Sequence, residues 1–431
     1  MQRFNYTFLL VFISVVLVLS MFSLVMDPYV LFDSQRINDI NRYKPAGLRH
    51  IRLSKAYRVT GEQFDTLILG SSRTGRGLQC SMIASAGASC YNASTTAATP
   101  LESLRYLQQQ RPATVYLGLD LFTVLDQRLL NESFVDDRLR LGPDGGVNYR
   151  FYKQWITDHL GSLASSQAVD DSYVTLRKQD KAALLPAADG MPVIHSDGSW
   201  GEDPARLAAR GGDVRGKKQE KRFVHIYGVM MVLFQKSHDQ HLKSGTPVAE
   251  TVDQHLDAFR EIVEYCHANN IRLKVFFNTA HAYYWQLVYR TVGRELVEHW
   301  KRRVLEINHS VAYAHQADSF TIFDFSGINA VSVEEMPSAE NGYRLMENFQ
   351  DVMHYSTRSG ADMSKIMSAD CGDAGDESWG NCLGPDNIES WLESQWLAYQ
   401  EFSSDNETEL ADFTKRARAA LRKRKASATA W

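Results

Sequence analysis

The chain has 431 residues, a formal net charge of −4 at pH 7 and 44% hydrophobic residues. This length suits one large domain or two ordinary ones, and the composition allows a sizeable buried core. The mild net charge gives no reason to expect a nucleic-acid-binding protein, because such proteins present strongly basic surfaces.

An almost unbroken apolar run extends from Phe8 to Met26, near the start of the chain. At 1.5 Å per residue, about 20 such residues cross the hydrocarbon core of a bilayer. No small-residue cleavage site of the Ala-x-Ala kind follows, because the chain continues Val25-Met26-Asp27-Pro28-Tyr29. The pattern therefore predicts that residues 1–26 form an uncleaved transmembrane anchor rather than a signal peptide.

The charges that flank this run predict its orientation. Arg3 precedes the run and Asp27 follows it, which favours an inside N-terminus and export of the remaining chain. Residues 27–60 are predicted to form a juxtamembrane neck. Its basic residues lie on the side that the positive-inside rule disfavours, and a plain solvated face explains them equally well; they are Arg36, Arg42, Lys44, Arg49, Arg52, Lys55 and Arg58.

The five cysteines include two close pairs, Cys80 with Cys90 and Cys371 with Cys382. Such pairs suit two local disulfides in an oxidising compartment, which agrees with export, although five unpaired small hydrophobic side chains are the alternative. Cys266 is left over on the apolar face of a predicted helix and is expected to be a buried thiol. No Cys/His cluster has the spacing of a zinc site, so we expect no metal and no cofactor.

From residue 61 onward, predicted strands alternate with predicted helices. The strands cover Thr66–Leu69, 114–120, Arg272–Phe277 and 320–325, and a helical pattern precedes each of the last three. This alternation predicts an α/β fold with a mostly parallel sheet and helices on both faces. We assign it to one domain over residues 61–365.

Two segments do not follow this alternation. Residues 180–222 are rich in Gly, Asp, Lys and Arg and are predicted to be an excursion that forms a lid or one wall of a cleft, although many such loops are only mobile. Residues 366–431 are predicted to comprise a Gly/Asp-rich loop, an amphipathic helix and a basic tail. The tail either contacts anionic lipid or an acidic glycan, or is simply solvated.

A serine hydroxyl stands at the end of the first predicted strand, in Gly70-Ser71-Ser72. Open α/β sheets place their reactive groups at the carboxyl ends of the strands. Far downstream, Asp351 lies three residues before His354. A serine nucleophile needs an imidazole to take its proton, and the imidazole needs a carboxylate to fix its tautomer. These three residues are therefore the parts of a hydrolytic triad, provided that the fold brings them together.

Four short segments together resemble the SGNH (GDSL-like) hydrolase superfamily. Its first block ends a strand in Gly-Asp-Ser, which Gly70-Ser71-Ser72 matches, and its last block is Asp-x-x-His. Its second block, Asn-x-x-x-x-Gly, corresponds to the run from Asn92 to Ala97, and its third, Gly-x-Asn-Asp, to Gly118-Leu119-Asp120. The resemblance implies a flavodoxin-like three-layer fold, with Ser72 as nucleophile, His354 as base and Asp351 as its orienting carboxylate.

The chain departs from the family pattern at three positions. Ser71 replaces the usual Asp, Ala97 replaces the Gly of the second block, and Asp120 replaces the oxyanion-binding Asn of the third. An ionised carboxylate would repel a developing oxyanion, so we expect Asp120 to be turned away rather than protonated or purely structural. Asn278 or His281, after a later strand, could line the cleft instead, and a core or capping role is the alternative for both.

Other residues near these blocks are candidates for substrate contacts. Arg73 follows the nucleophile and could hold an anionic substrate or remain a solvated charge, and Gly70 and Ala97 would border the oxyanion. Four aromatic residues could form sugar-stacking platforms or belong to the core; they are Trp200, Tyr283, Tyr284 and Trp285.

Within the superfamily, the chain is most similar to membrane-anchored bacterial proteins that acylate cell-surface polymers, of the alginate-acetylation and D-alanylation type. The resemblance covers roughly residues 27–125 and 270–360. It implies a serine O-acyltransferase, transferring an acetyl group, with an exported polysaccharide as substrate. The resemblance further implies a single-pass protein of the bacterial inner membrane whose domain faces the periplasm or the exterior. A multi-spanning membrane acyltransferase would supply the acyl donor, and no nucleic-acid partner is expected.

Two alternatives remain open at this point. An esterase of the same fold would use the same triad to remove acyl groups. A non-catalytic scaffold of an envelope export machine would use a degenerate site to bind glycan, and Ala97 and Asp120 favour that hypothesis.

Overall fold

The computed structural model of the chain describes residues 2–182, 193–201, 212–369, 371 and 379–428. These residues form the helices α1 (Gln2–Met26), α2 (Ile51–Gly61), α3 (Ser72–Gly77), α4 (Cys80–Ile83), α5 (Pro100–Leu107), α6 (Phe151–Ala164), α7 (Ser166–Ala182), α8 (Gly212–Ser244), α9 (Val248–Ala268), α10 (Ala282–Thr291), α11 (Arg294–Ala314), α12 (Thr357–Ser368), α13 (Ile388–Asp405) and α14 (Glu407–Ala428). The strands are β1 (Thr66–Leu69), β2 (Cys90–Asn92), β3 (Thr114–Leu119), β4 (Val193–Ile194), β5 (Trp200–Gly201), β6 (Arg272–Phe277), β7 (Thr321–Asp324) and β8 (Asn381–Leu383).

The chain divides into two compact units that each combine two stretches of sequence. The first unit contains Met1–Glu62 and Ser133–Ala209, and the second contains Gln63–Glu132 and Arg210–Trp431. This division differs from the predicted boundaries, because residues 27–60 join a helical unit instead of forming a separate neck. Tyr29 and Tyr57 show the reason, since their hydroxyl groups donate hydrogen bonds to carboxylates on α7 and α6 more than 100 residues away.

The second unit contains a six-stranded sheet in the order β2-β1-β3-β6-β7-β8. The first five strands are parallel, and β8 pairs antiparallel with β7. The chain passes from β1 to β2 on one side and then to β3 on the other, so strand order reverses at β1. The predicted α/β fold with a mostly parallel sheet is confirmed.

Strand β1 shows why this sheet is buried. Leu67, Ile68 and Leu69 have no exposed surface, although successive side chains of a strand point to opposite faces. Both faces are therefore covered, as parallel sheets require. Two groups of helices pack together around the strands: α9 contacts α5 and α11, and α12 contacts α3 and α4.

Helix α1 begins the first unit. Within Arg3–Met26, the most apolar 18-residue window has a mean hydropathy of 2.9, and 6% of this window is buried. Among the described residues this helix alone is long and apolar enough to cross a membrane.

Two disulfides lie in the second unit. Cys80 at the start of α4 is joined to Cys90 of β2, and Cys371 is joined to Cys382 of β8. Their Cα atoms are 5.7 and 5.8 Å apart, which is within the usual range. Cys266 is buried and unpaired.

The segment predicted as an excursion, residues 180–222, is described only in part, and residues 183–192 and 202–211 lie outside the described residues. In the described part, β4 and β5 pair antiparallel around a turn in which Gly198 has a φ of 81°. From Gly212 onward the segment belongs to the long helix α8.

Candidate active site

The nucleophile candidate lies where β1 turns sharply into α3. Gly70 makes this turn with a φ of 147°, and a Cβ atom on it would lie 2.9 Å from the carbonyl oxygen of Gly118. Only glycine fits both the conformation and the space. The turn therefore places Ser71 and Ser72 at the carboxyl edge of the sheet, beside the reversal of strand order, where α/β proteins bind ligands.

The two serines of this turn have different roles. Ser71 is the N-cap of α3, and its hydroxyl accepts a hydrogen bond from the Arg73 backbone N–H at 3.2 Å. Because Ser71 provides the cap, Ser72 does not need to. The Oγ of Ser72 lies 3.0 Å from Nε2 of His354, 282 residues later in the chain.

The histidine completes a Ser–His–Asp arrangement. Nδ1 of His354 lies 2.8 and 2.9 Å from the two carboxylate oxygens of Asp351. A carboxylate accepts only, so we assign the Nδ1 proton to this contact, which leaves the Nε2 lone pair facing Ser72. Ser72 and His354 keep 8% and 7% of their surfaces exposed, whereas Asp351 has none. The reactive end of the arrangement is thus the end nearer solvent.

A tight loop fixes the carboxylate to the histidine. Oδ1 of Asp351 accepts hydrogen bonds from the backbone N–H groups of Met353 and His354, at 3.1 and 3.0 Å. An isolated bridge between Phe349 and Tyr355 closes the loop. Because the two residues are three positions apart in this turn, the Asp351 carboxylate binds both the backbone N–H and the ring Nδ1 of His354.

Arg222 of α8 approaches the same carboxylate from the other side. Its Nε donates to Oδ2 of Asp351 at 2.9 Å, and its side chain is 15% exposed. No sequence motif indicated this residue, because the contact joins positions 129 residues apart. The segment 180–222, which was predicted to form a lid or one wall of the cleft, thus contributes the positive charge of Arg222 to the carboxylate end of the triad.

Burial and charge set the protonation states of this group. Burial alone would raise the pKa of Asp351, but His354 and the Arg222 guanidinium outweigh it and hold that pKa well below its usual range. Burial lowers the pKa of His354 to about 4, although Asp351 opposes the shift. At neutral pH the imidazole is therefore uncharged and able to accept a proton.

Asp120 follows β3 and lies in a second buried network below the serine turn. Its carboxylate accepts hydrogen bonds from the Ser71 hydroxyl and, at 3.2 Å, from the Asn278 amide, and it pairs with Arg73 at 3.0 Å. Burial raises the pKa of Asp120, against the attraction of Arg73. These partners occupy the carboxylate and tie the serine turn to β3.

Of the two roles considered for Asn278, lining the cleft as an oxyanion amide or lying in the core, the structure supports the core role. Its Nδ2 donates to Asp120 and to Thr74, while its Oδ1 accepts from the Tyr355 hydroxyl at 3.0 Å. Both ends of the amide are thus used inside the protein. Tyr355 and Thr74, which sequence analysis did not single out for the site, hold it there.

Arg73 also differs from its predicted role. The side chain is 1% exposed, and its guanidinium lies 4.2 Å from the ring centre of Tyr284 and beside Asp120. It points into the protein, so it cannot hold an anionic substrate at the surface. Electrostatic attraction to the buried Asp120 carboxylate and to the face of the Tyr284 ring explains the inward orientation.

His281 is a helix cap. Its Nδ1 accepts a hydrogen bond from the Tyr283 backbone at 3.2 Å, and its Nε2 donates to the Glu334 carbonyl at 2.7 Å. Burial lowers its pKa to about 4, so the ring is neutral. Of the two roles considered for His281, the structure assigns the capping role at the start of α10.

Ala97 lies in a loop beside the serine turn. Its φ of 50° is in the left-handed region that favours glycine, and the Thr95 backbone donates to the Gly70 carbonyl at 3.0 Å. The four aromatic residues considered either as sugar-stacking platforms or as core residues are all buried, which supports the core role. They are Trp200, Tyr283, Tyr284 and Trp285.

The described residues thus bring together Ser72, His354 and Asp351, and they place Gly70 and Ala97 next to them. No group of three or more metal-binding side chains is present among the residues that the structure describes. In comparisons with protein-family models and with curated proteins, neither a model nor a protein matches this chain. The chemistry of the site therefore has to be judged from its geometry.

Proposed function

We propose that the chain is a membrane-anchored serine O-acyltransferase of the SGNH type, which transfers an acyl group, acetyl in the simplest case, to an exported polysaccharide. The observation that carries this proposal is the 3.0 Å contact between Ser72 Oγ and His354 Nε2, with Asp351 on the opposite ring nitrogen. A neutral imidazole between a hydroxyl and a carboxylate is the arrangement that activates serine. The parallel strands follow the order β2-β1-β3-β6-β7. Counted among themselves, this is the order 2-1-3-4-5, which supports the flavodoxin-like SGNH fold.

In the first half of the reaction, the Ser72 oxygen attacks the carbonyl carbon of the acyl donor while His354 Nε2 takes the serine proton. The tetrahedral intermediate collapses, the bond to the leaving group breaks, and His354 returns the proton to that group. In the second half, a sugar hydroxyl gives its proton to His354 and attacks the acyl-serine ester. Collapse releases the acylated sugar, and the proton returns to Ser72.

The oxyanion has to be stabilised without an amide side chain, because Asn278 is engaged elsewhere. We propose that backbone N–H groups take this part. The N–H of Ser72 stands at the first position of a helix, where no intrahelical partner exists. The Ala97 loop lies beside the same turn and would supply a second donor.

Location and partners follow from the anchor. Helix α1 would hold the protein in a bacterial inner membrane with its sheet domain in the periplasm, and the two disulfides support exposure to an oxidising compartment. Acyl donors are made in the cytoplasm, so a multi-spanning membrane acyltransferase would have to pass the group across. The glycan and this acyltransferase are the proposed partners.

The decisive experiment compares the full-length variants Ser72→Ala and Ser71→Ala in membranes supplied with a glycan acceptor. We expect Ser72→Ala to abolish glycan acylation and labelling by a serine-reactive probe, with an unchanged melting temperature. Ser71→Ala should retain probe labelling, because it removes the cap but not the nucleophile. Undiminished acylation in Ser72→Ala would contradict the proposal.

One observation favours a second candidate function, a non-catalytic glycan-binding scaffold. Asp120 stands where an oxyanion-binding amide is expected, and the nearest other amide is bound internally. Such a scaffold would bind glycan equally well with and without Ser72 and would not react with the probe. An esterase would label but release acyl groups to water, so the ratio of glycan transfer to hydrolysis separates it from the transferase.

A further inference from the structure

Helix α6 in the first unit exposes the apolar side chains that a helix of a water-soluble protein buries. Tyr152, Trp155, Ile156 and Leu160 are 68%, 43%, 51% and 60% exposed. Their spacing places them on one side of the helix. An exposed stripe with two aromatic and two aliphatic side chains marks a surface that contacts something other than water.

The side of α6 that faces the rest of its unit carries polar contacts together with Phe151, which is 4% exposed. Asp158 accepts hydrogen bonds from the Tyr57 hydroxyl at 2.7 Å and from Arg138 Nε at 2.8 Å, and Ser162 is 4% exposed. Apart from Phe151, the helix is thus inverted relative to its unit, with polar groups inside and most of its large apolar side chains outside. This arrangement is too regular to be a scatter of single exposed hydrophobic residues.

Helix α7 shares the inversion. Asp171 is buried and accepts hydrogen bonds from the Tyr29 hydroxyl and from Arg49, while Tyr173 and Leu176 are 53% and 38% exposed. Apart from Ala168, its remaining buried side chains are also polar; they are Ser172, Thr175 and Gln179. Since α6 and α7 are separated by a single residue, they form one hairpin that exposes large apolar side chains on both arms.

The position of this hairpin identifies what covers it. Helix α1 packs along both α6 and α7, and its Ser23 has no exposed surface. Directly after α1, the ring of Phe32 lies 5.6 Å from that of His159 on α6. The hairpin therefore lies against the last turns of the apolar helix and the residues that follow it, which is the level at which a membrane-spanning α1 would leave the bilayer.

We propose that the α6–α7 hairpin is a second membrane contact, lying in the headgroup region of the lipid bilayer beside α1. This inference rests on the anchoring role of α1 in the proposed function. Tyr152 and Trp155 are residue types that concentrate at the membrane–water interface, and Lys153 borders the stripe, where its ammonium reaches lipid phosphates. Lipid is the proposed occupant because α6 and α7 pack against α1, the helix that the proposed function places in the bilayer.

The consequence is mechanical. A single spanning helix leaves a domain free to tilt and rotate above the membrane, whereas a helix and an adjacent interfacial hairpin together fix one face of the first unit to the surface. The buried polar contacts of Asp158 and Asp171 hold the hairpin rigidly enough to transmit this restraint.

The test uses full-length protein in vesicles of phosphatidylethanolamine and phosphatidylglycerol, with single cysteines introduced at exposed positions and labelled with an environment-sensitive fluorophore. Leu160→Cys and Ile156→Cys report on the stripe, Leu10→Cys on the middle of α1, and Tyr313→Cys, at a position 87% exposed in the second unit, on water. The native cysteines do not interfere, because four are paired and Cys266 is buried.

We expect blue-shifted emission at positions 156 and 160 and several-fold stronger quenching by nitroxide-bearing lipid than at position 313. Quenching at position 10 but not at 156 and 160 would overturn the hairpin proposal and leave the anchor intact. Absence of quenching at position 10 would overturn the anchor and the hairpin together. A blue shift at 156 and 160 without lipid quenching would show a protein cover, and it too would overturn the proposal.

Discussion

The site contains two buried carboxylates that are each paired with an arginine but serve different ends. Asp351 pairs with Arg222 and presents its oxygens to the ring of His354. Asp120 pairs with Arg73 and presents its oxygens to Ser71 and Asn278. The ion pair alone therefore does not define a role: Asp351 orients the base, whereas Asp120 secures the turn that carries the nucleophile.

Their pKa values are shifted in opposite directions, and each shift has a physical reason. Asp351 accepts backbone N–H groups and faces both His354 and Arg222, which together hold its pKa low in spite of burial. At Asp120 burial is the stronger effect, and its pKa is raised. The comparison therefore predicts that changes at Asp351 alter chemistry, while changes at Asp120 alter stability.

The largest effect is expected for Asp351→Asn. The asparagine amide would donate to Nδ1 of His354 and force the ring proton onto Nε2, which then cannot accept the Ser72 proton. We expect kcat for hydrolysis of an aryl acetate to fall on the order of 10⁴-fold, as for the equivalent change in serine proteases. Asp362→Asn, at an exposed carboxylate on α12, is the matched control. A loss below tenfold would show that Asp351 does not set the tautomer.

The next effect concerns Asp120. Replacing it by Leu leaves the Arg73 guanidinium buried without its counter-charge, which should lower the free energy of unfolding by about 3–5 kcal/mol. The double variant Asp120→Leu/Arg73→Met removes both charges and should recover most of that loss. Denaturant unfolding of the two variants measures the difference. If the double variant is no more stable than the single one, the pair does not hold the turn.

These two regions also show which features of the site can be predicted from the sequence. The apolar run before Ser72 and the spacing of Asp351 and His354 are local patterns, and each predicts a local structure: a strand end and a tight turn. The direction of the Arg73 side chain depends on Tyr284 and Asp120, which are distant in sequence. Local sequence patterns therefore do not predict whether Arg73 contacts substrate or lies in the interior.

The same limit applies to the units. The strand–helix alternation predicted the parallel sheet, because hydrophobic periodicity is visible within each element. The first unit joins Met1–Glu62 to Ser133–Ala209 through contacts such as Tyr57 with Asp158, and no periodicity reports which segments pair. Arg222 was missed for that reason, since its helix position gives no sign of the carboxylate it meets.

The smallest effect is expected for Arg222, the arginine that pairs with Asp351. His354, with a pKa of about 4, faces Asp351, while the positive charges of Arg222 and Arg76 also act on it and oppose its protonation. Activity requires the neutral ring, so the rate should fall as pH drops through about 4. Arg222→Met removes one of these positive charges, which makes the imidazole easier to protonate and moves the acid limb of kcat/KM to higher pH, by at most about one unit.

Lys221→Met removes an exposed positive charge from the neighbouring position of the same helix and should leave the limb in place. An acid limb that is identical in wild type and Arg222→Met would mean that the arginine only holds the loop, as Arg73 does for the serine turn.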